Sequence, residues 1–245
     1  MAPASERRCA LGICDGSGWI EDHETRTARE CRCRAQIIAS RRSRSLSAVI
    51  PKRYRGVSFD RPPVTEMPEP ITRQVRAYVR HLDEQLADGR GLWFHGSVGT
   101  GKTTLAMLIS SAALDAGHTV AIYSLPRLLA EMRATFDSDA QGAYTALLDR
   151  LTEVDLLHVD DLGAEKTSPW VLEQLYSIVN ARYEAEKSVI ITTNLQRDAL
   201  SEQIGERTVS RLEEMCEILP LTGTDKRKVV IGDRREGPAA DLRLA

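Results

Sequence analysis

Residues 96–103 read GSVGTGKT, which places Gly96, Gly101, Lys102 and Thr103 in the spacing of a phosphate-binding loop. In such an octet the glycines let main-chain N–H groups turn inward around an anion. The lysine reaches the outer phosphate oxygens, and the next hydroxyl can hold Mg2+. The motif carries meaning only between a strand and a helix, and the flanks supply both. GLWFH (91–95) is a short apolar run fit for a buried strand, and LAMLISSAALDAG (105–117) has helical spacing with Gly117 as its stop. The implied ligand is a nucleoside triphosphate, cradled by Gly96, Ser97, Val98, Gly99, Thr100, Gly101, Lys102, Thr103 and Thr104.

Working outward, further short apolar runs alternate with helical patterns: TVAIY (119–123), DLLHV (155–159), SVIITT (188–193) and CEILPL (216–221). That alternation predicts an α/β fold, a parallel sheet flanked by helices. A helix over about 71–88 is expected from Val75, Val79, Leu82 and Leu86 on one face. A long helix to about Lys187 opens at Ser168 as N-cap with Pro169 behind it.

Two polar strand tips complete the expected site. LLHVDDLG ends in Asp160, suited to the Mg2+ shell beside Thr103, and in Asp161, suited to orient or deprotonate the attacking water because neighbouring strand residues point apart. ITTNLQ ends in Asn194, able to hydrogen-bond that water or the γ-phosphate. ERTVSRLEE carries Arg207 and Arg211 at i, i+4 on one helical face.

The chain has 245 residues, 42% of them hydrophobic, enough for one large domain and an appendage. No apolar stretch approaches the roughly 20 residues that span a bilayer, and MAPASERRCA lacks an apolar export core, so a cytoplasmic protein without membrane contact is expected. Net charge is −2, yet Arg26, Arg29, Arg32, Arg34, Arg41, Arg42, Arg44, Lys52, Arg53 and Arg55 face one acid, Glu30, in the same stretch. Such a run is either a solvated linker or a contact for nucleic-acid phosphates or an acidic protein face.

Four of the five cysteines lie in the first 33 residues, as Cys9-x4-Cys14 and Cys31-x-Cys33. A segment of about 40 residues cannot bury enough surface to fold unaided, so a staple is expected. Without an export signal, paired cysteines read as metal ligands. Thiolate zinc on Cys9, Cys14, Cys31 and Cys33 is the first candidate, with His23 able to replace a thiolate, and an iron–sulfur cluster or free thiols as alternatives. Cys216 sits in an apolar run and is read as core. The organisation expected is a cysteine-rich module at 1–40, a basic, proline-rich linker at 41–70, the nucleotide-binding domain at 71–232 and a disordered tail at 233–245.

Taken together, the loop at 96–103, DDLGAEKTSPW, NARY (180–183), ITTN, SRLEE and GTDKR resemble the AAA+ ATPases of the DnaC/DnaI helicase-loader and IstB transposition-helper group, over roughly residues 50–230. The resemblance implies ATP as the nucleotide and a core sheet of strand order 5-1-4-3-2. It also implies Asn194 as the first sensor, Arg211 as an arginine finger acting on a neighbouring subunit with Arg207 in reserve, and Arg227 of GTDKR as the second sensor. The cysteine module resembles the small metal-binding domain by which loaders hold the replicative helicase. Two departures stand out: His158 where the group carries an apolar residue, read here as a core or edge histidine, and Asp161 where a Glu is usual.

The function so implied is an ATP-dependent replicative helicase loader that binds the helicase and single-stranded DNA and works as a homo-oligomer. Arg127 and Arg133 are candidate DNA contacts. The alternatives are a transposition helper that polymerises on duplex DNA and a small-molecule kinase, which would need an arginine-rich lid that the sequence does not show.

Overall fold

Each short apolar run has to satisfy two layers at once, because successive strand residues face opposite sides. The computed structural model describes residues 9, 11–22, 27–34, 50–136, 142–163, 167–223 and 225. Its strands are β1 (Trp19–Asp22), β2 (Thr27–Glu30), β3 (Gly91–Gly96), β4 (Val120–Ser124), β5 (Leu156–Asp160), β6 (Ser188–Thr193) and β7 (Cys216–Leu221). The helices are α1 (Glu69–Arg80), α2 (Leu82–Ala87), α3 (Lys102–Asp115), α4 (Leu125–Phe136), α5 (Ala143–Glu153), α6 (Pro169–Glu184), α7 (Arg197–Ile204) and α8 (Glu206–Met215).

Strands β3 to β7 form one parallel sheet in the order β4-β5-β6-β3-β7, which is the expected 5-1-4-3-2 arrangement. One face presents Leu92, Phe94, Val120, Ile122, Leu156 and Ile190 to a layer built on α1 and α3. The other presents Trp93, Tyr123, Val159 and Ile191 to α4 to α8. Helix α3 is apolar nearly all round because the sheet lies on one side of it and α1, with Ile50, Tyr54, Val57, Val64 and Met67, on the other. The stretch read as linker therefore packs into this core from residue 50 onward: Val64 and Met67 are buried.

The expected helix at 71–88 begins at Glu69, behind Pro68, and breaks at His81 into α1 and α2. Ser168 caps α6 as expected, its Oγ accepting from the Val171 N–H at 3.3 Å. One internal staple was not foreseen. Arg182 of α6 is 1% exposed and donates to the carbonyls of Leu151, Thr152, Val154, Asp155 and Ser188, tying the end of α5 to the starts of β5 and β6. Burial lowers its pKa to about 9, with the Asp155 charge opposing, so it remains a cation at neutral pH.

The cysteine segment forms an antiparallel ribbon, β1 on β2, with Trp19 opposite Glu30. Strand β2 is exposed at all four positions, so no alternation marked it in the sequence.

Candidate nucleotide site and cysteine cluster

In an open parallel sheet the carboxyl ends of the strands converge on the ligand crevice. Here the tips of β3, β5 and β6 lie side by side, and β3 runs into the glycine loop. Gly101 ends the loop in a left-handed conformation, φ 102°, and caps α3. That φ strains any residue with a side chain, and a Cβ there would also stand 2.3 Å from the Met67 methyl, which would have to move. Lys102 is buried, its Nζ donating to the carbonyls of Gly96 at 2.8 Å and Ser97 at 2.7 Å. Thr100 Oγ1 donates to Ser97 O at 2.9 Å.

Thr103 begins α3 opposite the tip of β5, and its hydroxyl donates to Asp160 Oδ1 at 2.9 Å. Thr192 of β6 donates to the same oxygen at 2.6 Å and accepts the N–H of Asp161 at 3.0 Å. One hydroxyl thus holds the Asp160 carboxylate and the Asp161 main chain. The pair of oxygens from Thr103 and Asp160 is the donor set that a hard cation such as Mg2+ takes, and the loop's inward N–H groups fit phosphate.

Asp161 does not continue the strand alternation. The strand stops at Asp160, and Asp161 is exposed in a left-handed turn at φ 58°. Asn194 is exposed one residue beyond β6, at the same end of the sheet. Thr193 steadies that corner, donating to Leu162 O at 2.6 Å and accepting from Leu195 N at 3.1 Å.

Two neighbours, Tyr54 and His95, were not anticipated in these roles. Tyr54 lies near Thr103 and Asp160, and its pKa is raised mainly by burial, against the opposing charge of Arg53. His95, at the tip of β3, is held towards the neutral form by burial and then by the Lys102 charge. His158 is fully buried, with Nδ1 3.0 Å from Ser110 Oγ and Nε2 4.0 Å from Asp160 Oδ1. Burial lowers its pKa to about 4, leaving a neutral core histidine, as read from the sequence.

Arg211 does not join this cradle. It lies on α8 against α6, with Nε donating to Asn180 Oδ1 at 2.7 Å and the guanidinium over the rings of Tyr176 and Tyr183 at 4.9 and 5.6 Å. Arg207 and Arg127 are exposed, and Arg133 stacks over Trp170 at 4.8 Å. Arg227 and His23 fall outside the described residues.

The four N-terminal cysteine sulfurs all lie within 4.8 Å of one another, with Cys9–Cys31 at 3.9 Å and Cys14–Cys33 at 3.4 Å. A disulfide needs about 2.05 Å. Tetrahedral zinc at about 2.3 Å from each sulfur spaces them about 3.8 Å apart, so the cluster fits a metal. The N–H groups of Cys14 and Ile13 pull the Cys9 pKa down to about 6, favouring the thiolate a metal needs, while burial pushes the Cys33 thiol up. Cys216 is buried under β3 as a core residue.

The model of the IstB-like ATP binding protein family matches residues 83–230. YdaV, an uncharacterised protein of Escherichia coli K12, is 32% identical over 130 residues, covering 53% of this chain and 52% of YdaV. The replicative helicase loader DnaC of the same strain is 29% identical over 139 residues, 57% of this chain and 55% of DnaC. This chain thus spans about half the length of the curated relatives it matches. A crystal structure of the DnaC helicase loader, 31% identical, superposes with a TM-score of 0.61 over 70% of this chain and 100% of that one. By these matches the chain belongs to the IstB-like ATP binding protein family and carries an AAA+ core of the DnaC type.

Proposed function

We propose that this protein hydrolyses ATP with Mg2+ at subunit interfaces and uses that cycle to load a replicative DNA helicase onto single-stranded DNA. The observation that carries the ATPase reading is the convergence of Thr103, Asp160 and Thr192 beside the glycine loop. ATP would sit on the N–H groups of residues 96–104, with Lys102 exchanging its loop carbonyls for phosphate oxygens. Thr103 and Asp160 would hold Mg2+, which offsets charge on the phosphates. Asp161 and Asn194 stand at the strand tips, where the attacking water enters. Arg211, engaged among the described residues by neutral groups, would serve the nucleotide of an adjacent copy, and an arginine so placed is worth about 10³–10⁵ in rate in well-studied nucleotide hydrolases.

The helicase assignment draws on the likeness to DnaC and on the cysteine ribbon. There Leu11, Ile13 and Trp19 are exposed at 50%, 49% and 37% around four thiols suited to zinc, an apolar surface on a small rigid mount. Among the described residues no helix is long and apolar enough to cross a membrane. The IstB relationship supports a second reading, a transposition helper on duplex DNA.

Capture of a hexameric helicase, and not of a transposase, by the full chain with ATP separates the two; the reverse result selects the helper. ATPase rate per chain should rise with protein concentration and with single-stranded DNA. A monomer turning over at full speed would exclude the shared site.

A further inference from the structure

The NARY segment (180–183) has no part in the cradle, yet two of its side chains meet Arg211. On α6, Tyr176, Asn180 and Tyr183 follow i, i+4, i+7 and form one stripe. On α8, Arg207, Arg211 and Glu214 follow the same spacing. The two stripes pair: Arg211 Nε donates to Asn180 Oδ1 at 2.7 Å, its guanidinium lies over both tyrosine rings, and Tyr183 Oη donates to Glu214 Oε2 at 2.7 Å. Asn180 is itself oriented, its Nδ2 donating to Glu184 Oε1 at 2.9 Å.

Charge sharpens the pattern. The acids next to Arg211 in sequence are engaged elsewhere, Glu213 by Arg197 at 3.1 Å and Glu214 by Tyr183. Among the described residues no carboxylate lies within 4.0 Å of Arg211, and its only other hydrogen bond is from Nη1 to Arg207 O at 3.3 Å. A guanidinium has five N–H donors. This one is fixed by a neutral amide and two π faces that leave its charge and its Nη2 donors open, on a half-exposed surface where Tyr183 is 37% exposed.

We propose that Asn180, Tyr176 and Tyr183 are positioning residues that fix Arg211, without a carboxylate partner of its own, for the triphosphate of a second copy of this chain. The inference rests on the shared-site reading above and assigns the NARY segment its role. The holder organises Arg211 before the subunits meet, so the side-chain ordering is not charged to the assembly step.

The test mixes full-length chains. Arg211→Ala subunits, with intact cradles, are titrated with Asp160→Asn subunits, which keep Arg211 but cannot turn over. Restored ATPase is expected, and restoration about tenfold weaker or more when the donor also carries Asn180→Ala, with KM for ATP, assembly size and melting temperature unchanged. In otherwise wild-type chains Tyr183→Phe, which keeps the ring, should hold kcat within about twofold, whereas Tyr183→Leu should lower it. If Asp160→Asn/Asn180→Ala donors restore activity as well as Asp160→Asn donors, the holder is refuted while the shared site stands. If Asp160→Asn donors restore nothing, the shared site fails and the holder goes with it.

Discussion

Strands β6 and β2 are short and similar in backbone form, yet β6 is buried at all six positions and β2 exposed at all four. The first is held by neighbours on both edges and both faces. The second is held by one partner strand and by the cysteines at its flank, since the buried groups of the ribbon are Cys9, Cys31 and Cys33, with Cys14 and Ile20 against them. One molecule therefore contains a core secured by apolar area and a module secured by the chemistry of four thiols. Damage to either should not spread to the other.

The largest expected effect strips the module. Zinc binding to such a site supplies on the order of 10 kcal/mol, more than a ribbon of this size gains by burial. Chelation followed by restored Mg2+ should unfold the ribbon of β1 and β2, seen as loss of amide dispersion by NMR, while ATP affinity stays within about twofold. Helicase capture should be lost together with the fold of the ribbon. Core resonances that collapsed along with the ribbon would erase the contrast.

Next comes the core's own staple. Arg182→Leu leaves the carbonyls of Leu151, Thr152, Val154, Asp155 and Ser188 without their shared donor, in the interior. Breaking a buried charged network of this kind costs about 3–5 kcal/mol, which for a domain of this size lowers the melting temperature by roughly 10 °C. Differential scanning calorimetry should show that drop in the core transition, with zinc content unaltered.

These two regions were unequally legible in the sequence. SVIITT became β6 with the expected bounds, because a strand buried on both faces spells itself as a continuous apolar run, and CEILPL became the edge strand β7 with the expected bounds although Glu217, Ile218 and Pro220 are exposed. The glycine loop, Asp160 and the four cysteines stood at recognisable spacings. Ribbon strand β2 had no such signal, since all four of its residues are exposed. Residues 50–67 read as linker because prolines and basic residues dominate them, although Val64 and Met67 close the core over α3. Thr192 passed as an ordinary strand residue: its work depends on which strand lies beside β5, a tertiary fact. Asn180 and Tyr183 were hidden the same way, although the matched i, i+4, i+7 stripes on two helices were there to be paired.

Thr192 gives a smaller and more local effect. Thr192→Val keeps shape and burial but removes the group that donates to Asp160 and accepts from Asp161, an unsatisfied-partner cost of about 1–3 kcal/mol. Hydrolysis should slow by about 10- to 100-fold at unchanged ATP affinity, because the lost bonds set the Asp160 carboxylate and the Asp161 main chain and do not hold the loop. A rise in Kd for ATP of similar size would mean that the threonine supports binding instead.

The smallest effect lies at the opposite end of the sheet. Asp155 precedes β5 and accepts from Thr119 N at 2.9 Å and Thr119 Oγ1 at 2.8 Å, with Lys187 at 3.5 Å. Burial alone would raise its pKa, but these donors and the nearby charges of Lys187 and His118 hold it below the usual carboxylate value. A carboxyl whose folded pKa is depressed contributes stability above its unfolded value, about 3.9, and loses it as pH falls through the folded one. The melting temperature should therefore fall below about pH 4 in the wild type, and Asp155→Asn should be less stable at pH 6 but lose less on acidification, so that the two curves converge. The gap will be modest, because the side chain is 34% exposed and solvent screens it. Parallel curves down to pH 3 would show that the Thr119 bonds act on shape alone.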